Sequence, residues 1–346
     1  MKIALLTFFS ADNYGAILQT YATVKALQAY GHEVELINYS ISEPNSLLKK
    51  ILLYPKHLKF ERFRKKYFPL KTQKYTSFET LRSNPPKADC YLVGSDQVWN
   101  VEFSQDKIRG FLLDFGNSQI IRASYASSFG TADWMDSKWI RYDDAKQLFE
   151  RFNFISVRET SGQNILTNKF TIHNVKRVLD PVMLFSNYSE LVGPVVYKEE
   201  IVLYKLHDSE VFYTLAKNIG SSISVPVRSI GSIRRINGIE CHYPESIENW
   251  IRSIAGAKFV MTDSFHGTVL SILYARQFVV FVGLEKRFTR ISSLLELLGL
   301  SDRIVKEQDP KEYVLEVLCK PINFEEVHNK VASLRDESFC YISKIK

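Results

Sequence analysis

Two α/β domains, each built on a parallel sheet, are what this sequence predicts. Three observations carry the prediction. At 346 residues the chain is longer than one ordinary core accommodates. Its short apolar runs alternate with stretches of helical period, the pattern of β-α-β units. Polar residues gather where one apolar run after another ends, and ligands of open α/β sheets bind at that carboxyl edge.

The elements follow in order. Lys2 to Phe9 reads as a buried strand, and Ile17, Leu18, Tyr21, Val24 and Leu27 then recur at helical spacing. Gly31 stops that helix, and His32 to Tyr39 resumes as a strand. Further strands are expected at Asp89 to Val93, Ala123 to Gly130, Phe154 to Glu159 and Val175 to Leu179. Phe185 to Glu200 has no strong period and contains Pro194, so the boundary is placed there. The expected domains are an N-terminal Rossmann-like one over 1–185 and a C-terminal one over 200–346. The second opens at Ile201 to Lys205 and continues through Ile223 to Ile230, a helix near Ile247 to Ala255, the strand Lys258 to Met261, and Phe278 to Val282. A last helix runs from Phe288 to Leu298, ended by Gly299. The ligand cleft is expected where the two domains face each other.

Composition narrows the partners. The net charge is +7, yet ten Lys or Arg against the single Glu61 between Lys49 and Lys74 give that segment a local +9. Leu52, Leu53, Leu58, Phe60, Phe63, Tyr67 and Phe68 lie in the same stretch. Such a basic amphipathic segment fits an anionic membrane surface. The expected reading is nevertheless a solvated helix whose apolar stripe packs on its own domain. No nucleic-acid motif accompanies it, so nucleic acid is not expected as a partner. No apolar run approaches the roughly 18 residues that span a bilayer. The apolar start, Ile3 to Phe9, lacks a cleavage pattern and leads into an amphipathic helix, so a first strand is expected rather than a signal peptide. Cys90, Cys241, Cys319 and Cys340 lie far apart with no C-x-x-C and no metal spacing. They are expected to be reduced thiols of a cytoplasmic protein without a metal site.

Candidate chemistry concentrates at strand ends. Thr262-Asp263-Ser264-Phe265-His266-Gly267-Thr268 stands between two apolar runs and reads as strand, tight turn, helix, with His266 in the first helical turn. A helix N-terminus welcomes an anion, and a histidine there can donate a proton to what the anion carries; a simple capping role is the alternative. Around it, Lys205, Arg228, Arg287 and Arg290 are cations able to grip a phosphate or carboxylate. In the first half, Ser10 to Gly15 has one glycine, not the three of a dinucleotide fingerprint. Asp12, Asn13 and Tyr14 suit a polyhydroxyl ligand or an ordinary turn. Gly94-Ser95-Asp96-Gln97 places a carboxylate, Asp96, where it could deprotonate a hydroxyl, with Gln97 as hydrogen-bond partner. Trp99 could stack on a sugar ring or fill the core. Arg158-Glu159 is an internal ion pair or part of an acceptor site.

Together these residues resemble the polysaccharide pyruvyl transferase family. The resemblance rests on Asn13-Tyr14-Gly15-Ala16 with Leu18-Gln19, Gly94 to Asn100, Ala126 to Gly130, Ser156 to Glu159, Leu179-Asp180-Pro181 and Thr262 to Gly267, in consistent order over residues 2 to 300. It implies a GT-B-like fold and transfer of the enolpyruvyl unit of phosphoenolpyruvate to a sugar, as a cyclic ketal, with release of phosphate. It further implies a donor site on the C-terminal domain, with His266 as general acid. Several family members carry an arginine two positions before that histidine, where this chain has Ser264.

Under that reading the backbone from Phe265 through Gly267 to Thr268 and the hydroxyls of Ser264 and Thr268 hold the phosphate. Lys205, Arg228 or Arg290 neutralises the carboxylate, and Asp96 is the base. Asp12, Asn13, Tyr14, Gln19, Ser95, Gln97, Trp99, Arg158 and Glu159 form the acceptor side. The acceptor is expected to be a galactose-type sugar or a lipid-linked oligosaccharide of a surface polysaccharide precursor, and Lys49 to Lys74 could then touch the inner membrane leaflet. Phosphoenolpyruvate is a co-substrate, and no cofactor is expected. The alternatives are a nucleotide-sugar glycosyltransferase of the same fold and a non-catalytic sugar- or anion-binding protein.

Overall fold

The computed structural model describes residues 1–39, 47–134, 136–231, 236–282 and 285–345, without the side chains of 47–50 and 285–287. The chain divides into two compact units.

In the first unit, β1 (Lys2–Leu6), β2 (Glu33–Leu36), β3 (Cys90–Val93) and β4 (Ile121–Ser124) form a parallel sheet in the order β2-β1-β3-β4. A parallel pair, β5 (Ile155–Val157) and β6 (Val175–Arg177), continues it through the bridges Ala123 to Phe154 and Ser127 to Val157. Strand alternation sends side chains into two cores. Ile3, Leu5, Cys90 and Leu92 feed one, while Ala4, Leu6, Tyr91 and Val93 feed the other. The Tyr14–Ala29 helix starts at Asn13, whose side chain accepts from the Ala16 N–H, and the chain leaves it through Gly31 at φ +77°. Burial in these cores pushes the Cys90 thiol up to about 12, so it is an inert, structural cysteine.

The second unit carries six parallel strands: β7 (Lys198–Tyr204), β8 (Val227–Ile230), β9 (Glu240–His242), β10 (Ala257–Thr262), β11 (Gln277–Phe281) and β12 (Ile304–Val305). Their order is β12-β11-β10-β7-β8-β9, the doubly wound Rossmann arrangement. In such a sheet the chain's direction of travel reverses between the first and fourth strands, here β7 and β10. The corresponding switch in the first unit lies between β1 and β3. β9 and β12 are short strands with no expectation behind them.

The unit boundaries differ from the expected ones in two places. The first unit comprises Met1–Asn45, Tyr67–Phe185 and Ser333–Lys346, and the second Ser46–Lys66 and Ser186–Ala332. Residues 333–346 return to the first unit because Tyr341, Ile342 and Ile345 are buried in its core, and Tyr341 donates to the Ser124 carbonyl at 2.8 Å. The basic segment belongs with the second unit, where Lys59 donates to the Pro244 carbonyl at 2.6 Å. Neither exchange shows in local periodicity. No described helix is long and apolar enough to cross a membrane.

Candidate functional site

At the switch point of the second unit, the ends of β7 and β10 are tied together by one hydroxyl. Thr262 Oγ1 donates to the Tyr204 carbonyl at 2.6 Å and accepts from the Ser264 N–H at 3.0 Å. The chain then turns into the Phe265–Leu273 helix, with Ser264 as its N-cap. A Cβ at Gly267 would stand 2.7 Å from Thr262 Oγ1, so glycine lets this helix start against the strand ends. His266 lies in the first turn, 7% exposed, its ring edge-on to Phe265 at 5.2 Å.

The expected phosphate cradle is smaller than four donor residues. Ser264 Oγ accepts from the Gly267 N–H at 3.3 Å. The Thr268 N–H and hydroxyl both donate to the Ser264 carbonyl, at 3.0 and 2.9 Å. A helix start must satisfy its own orphan donors, and here Ser264, Gly267 and Thr268 do so among themselves. Ser264, the position at which the family resemblance led an arginine to be expected, is therefore a buried cap.

Next to it is a cluster of which only Lys205 was among the expected site residues. Asp263 is buried and receives Lys205 Nζ at 3.0 Å, the Leu206 N–H at 2.7 Å, the His207 N–H at 3.1 Å and His207 Nδ1 at 2.9 Å. Burial opposes its charge, but the His207 hydrogen bond, the Lys205 charge and the backbone N–H outweigh that and hold the carboxyl below its ordinary value. Lys205 Nζ also meets Glu307 Oε1 at 2.9 Å. Lys205, expected to neutralise a ligand carboxylate, thus has two carboxylates of its own. His207, with its side chain 48% exposed, is braced through Nδ1, which leaves Nε2 as the other proton-exchanging atom. A histidine a few residues past a strand end was the signal available for it.

Arg228 is also committed internally. Its Nε and Nη2 donate to the two Glu200 carboxylate oxygens at 2.9 and 2.6 Å, and Nη1 donates to Ser253 Oγ at 3.2 Å. Burial opposes the guanidinium charge, and Glu200 outweighs it. The Arg290 guanidinium stands 5.8 Å from the centroid of Phe265, the residue before His266. The side chain of Arg287 lies outside the described residues.

In the first unit, the carboxyl ends of β3, β5 and β6 converge on Arg158. Its Nη1 donates to Asp180 Oδ2 at 2.7 Å and Ser95 Oγ at 3.2 Å, and Nη2 donates to Asp96 Oδ1 at 3.3 Å. Glu159 Oε2 lies 3.8 Å from Nε. Burial opposes the guanidinium, while Asp180, Asp96 and Glu159 together raise its pKa. With side-chain exposures of 1% and 0%, Arg158 and Glu159 brace the site from within and do not line its surface. Asp96, at φ +82°, is held in the left-handed region, and its partly exposed carboxylate also accepts its neighbour's N–H at 2.9 Å. Gln97 Oε1 accepts from Asn100 Nδ2 at 2.9 Å.

Several expected acceptor residues are internal. Trp99 is 0% exposed, packed against Phe129, Phe149 and Phe152, with Nε1 donating to the Phe111 carbonyl at 3.1 Å, so the core alternative holds. Gln19 is buried and donates to Thr7 Oγ1 at 2.9 Å and the Ala16 carbonyl at 3.0 Å. Tyr14 is buried, Asn13 is the exposed helix cap and Asp12 is half-buried. Beside Asn100 opens a cavity of about 430 Å³ whose floor includes Trp99, Phe129 and Trp134 and whose rim carries Glu102, Asp136 and Trp139. Trp139, 37% exposed, is an aromatic ring at this rim, with Lys138 Nζ 4.5 Å from its centroid. Among the described residues, no group of three or more His, Cys, Asp or Glu is placed to hold a metal.

Two Rossmann-like units with polar clusters at their switch points define a GT-B-like α/β protein. Its fold is shared with UDP-GlcNAc 2-epimerases. The Methanocaldococcus jannaschii enzyme, solved with UDP-GlcNAc and UDP, has a TM-score of 0.55 at 12% identity over 96% of this chain and 99% of its own. The Neisseria meningitidis enzyme bound to UDP-GlcNAc has a TM-score of 0.53 at 8% identity over 98% of this chain and 100% of its own. No curated protein matches. The family model for polysaccharide pyruvyl transferase matches residues 13–283, and the chain belongs to that family.

Proposed function

We propose that the protein transfers the enolpyruvyl group of phosphoenolpyruvate to two hydroxyls of a sugar in a surface-polysaccharide precursor, forming a pyruvate ketal and releasing phosphate. One observation carries this reading: in a chain of this family, a histidine occupies the first helical turn at the switch point of a Rossmann unit. An acceptor hydroxyl oxygen bonds to C2 of the donor and gives up its proton, while C3 gains one. Phosphate then leaves C2 with the bonding electron pair, and the second hydroxyl oxygen bonds to C2 to close the ring, its proton passing to the departing phosphate. The balance consumes no cofactor.

His266 delivers the proton to C3. A helix N-terminus by itself disfavours imidazolium, and the bound, multiply charged donor favours it, so donor binding arms the acid. Arg290, whose guanidinium lies over Phe265 next to His266 in the chain, is the cation for the donor carboxylate. His207, braced by Asp263, is the second proton carrier on this unit. On the first unit, Asp96 meets the acceptor hydroxyl, and Trp139 supports a galactose-type ring, free or in a lipid-linked oligosaccharide.

Calorimetry with phosphoenolpyruvate and, separately, UDP-galactose tests the donor. Phosphoenolpyruvate is expected to bind the wild type and to bind Arg290→Ala about tenfold more weakly, the loss of one charge-assisted contact. NMR titration of His266 is expected to show its pKa rising when donor is added. Binding of UDP-galactose with none of phosphoenolpyruvate would replace the ketal reaction with glycosyl transfer. Equal ligand binding by wild type and His266→Ala, with turnover in neither, would make the protein a non-catalytic binder.

A further inference from the structure

The Leu47–Tyr67 helix has no single apolar face, because apolar side chains stand on both of its sides. Phe60, Phe63 and Arg64 are buried on one face. Residues 51, 54, 58, 62 and 65 follow at steps of three and four, so they share a stripe on the other. Along it Ile51 is 64% exposed, Tyr54 56% and Leu58 40%, with Leu52 at 58% beside them. Arg62 and Lys65 continue the same stripe and are exposed as well. Apolar side chains of this size, grouped and turned to water on a strongly basic segment, need an outside partner to cover them.

We infer that this stripe docks the protein on an anionic lipid surface. Ile51, Leu52 and Leu58 would enter the headgroup–acyl boundary, and Tyr54 would sit at headgroup level. Arg62 and Lys65 would meet lipid phosphates, and the +9 segment around them would draw the protein to the negative surface. A second copy of the chain is a poorer occupant. Parallel pairing of two such helices sets Arg62 and Lys65 against their own kind, and antiparallel pairing sets them against Ile51 and Tyr54. An anionic bilayer satisfies both halves at once. The inference rests on this surface and not on the assignment of the donor, so either can fail without the other.

The test is co-sedimentation of the full chain with vesicles of phosphatidylcholine alone and of phosphatidylcholine with about a third phosphatidylglycerol. The protein is expected to pellet with the anionic vesicles only, and less as salt rises. Ile51→Glu/Leu58→Glu and Arg62→Glu/Lys65→Glu should each lower partitioning about tenfold or more. Circular dichroism should be unchanged, since all four side chains are exposed. Should the first pair fail to fold, the second still reads the electrostatic half. No pelleting of the wild type, or equal pelleting with neutral vesicles, would overturn the inference. A concentration-dependent dimer in sedimentation velocity, abolished by Ile51→Glu/Leu58→Glu, would overturn it in favour of a second copy.

Discussion

Single side chains decide how charge is held at the second unit's switch point. Asp263 is the clearest case, because its carboxyl is kept below the ordinary range by His207, Lys205 and backbone N–H groups. A depressed carboxyl stabilises the fold above its unfolded pKa, near 3.9, and that contribution is lost as pH falls through the lower folded value. Asp263→Asn is therefore expected to be less stable than wild type at pH 7, with the gap closing below about pH 4. Urea unfolding at both pH values measures it, and a gap independent of pH would show that the charge is not what matters. The two tryptophans give a second contrast. Trp99→Ala removes a fully buried ring and should cost about 3–5 kcal/mol, whereas Trp139→Ala, at an exposed site, should stay within about 0.5 kcal/mol. Equal losses in thermal melts would mean that Trp139 is structural. Aromatic identity was plain in the sequence, but which ring faces water depends on what the rest of the chain packs around it.

Elements impose a different constraint, the distance of approach. The Phe265–Leu273 helix reaches the ends of β7 and β10 because Gly267 has no Cβ to meet Thr262. Alanine is the better helix former by about 1 kcal/mol, so on propensity alone Gly267→Ala should stabilise. We expect the reverse, a loss of about 1–3 kcal/mol, because Thr262 is fixed by hydrogen bonds on both sides and cannot yield. The His266 resonances should shift in the same variant, and a more stable protein with an unchanged histidine spectrum would refute the argument. The strand–turn–helix order of this segment was legible locally. The cap at Ser264 was legible only as a residue type, since serine serves equally as a cap or a ligand.

At the scale of the whole molecule, chain ends and crossovers matter most. Residues 333–346 complete the first unit by burying Tyr341, Ile342 and Ile345. Deleting them removes core from a unit that begins more than 300 residues earlier in the chain. The truncated protein is expected to melt at least about 5 °C lower, as befits a loss of a few kcal/mol. Hydrogen exchange should rise in β1, β3 and β4. An unchanged melt would show that the segment only decorates the surface. Arg158 poses the same kind of long-range dependence inside the first unit, since its partners Ser95, Asp96 and Asp180 come from two other strand ends.

Local pattern in the chain set the alternation of strands and helices and the place of His266 at a strand–helix turn. These features depend on period, breakers and residue type within a few positions, which local physics sets. Long-range packing commits Lys205 to Asp263 and Glu307, and Arg228 to Glu200. It also moved the basic helix and the C-terminal segment to the units opposite those expected, and it brought His207 to Asp263. A buried charge must find its partner, and an apolar face its core, wherever the fold brings them together. That meeting joins residues dozens or hundreds of positions apart, and no local pattern encodes it.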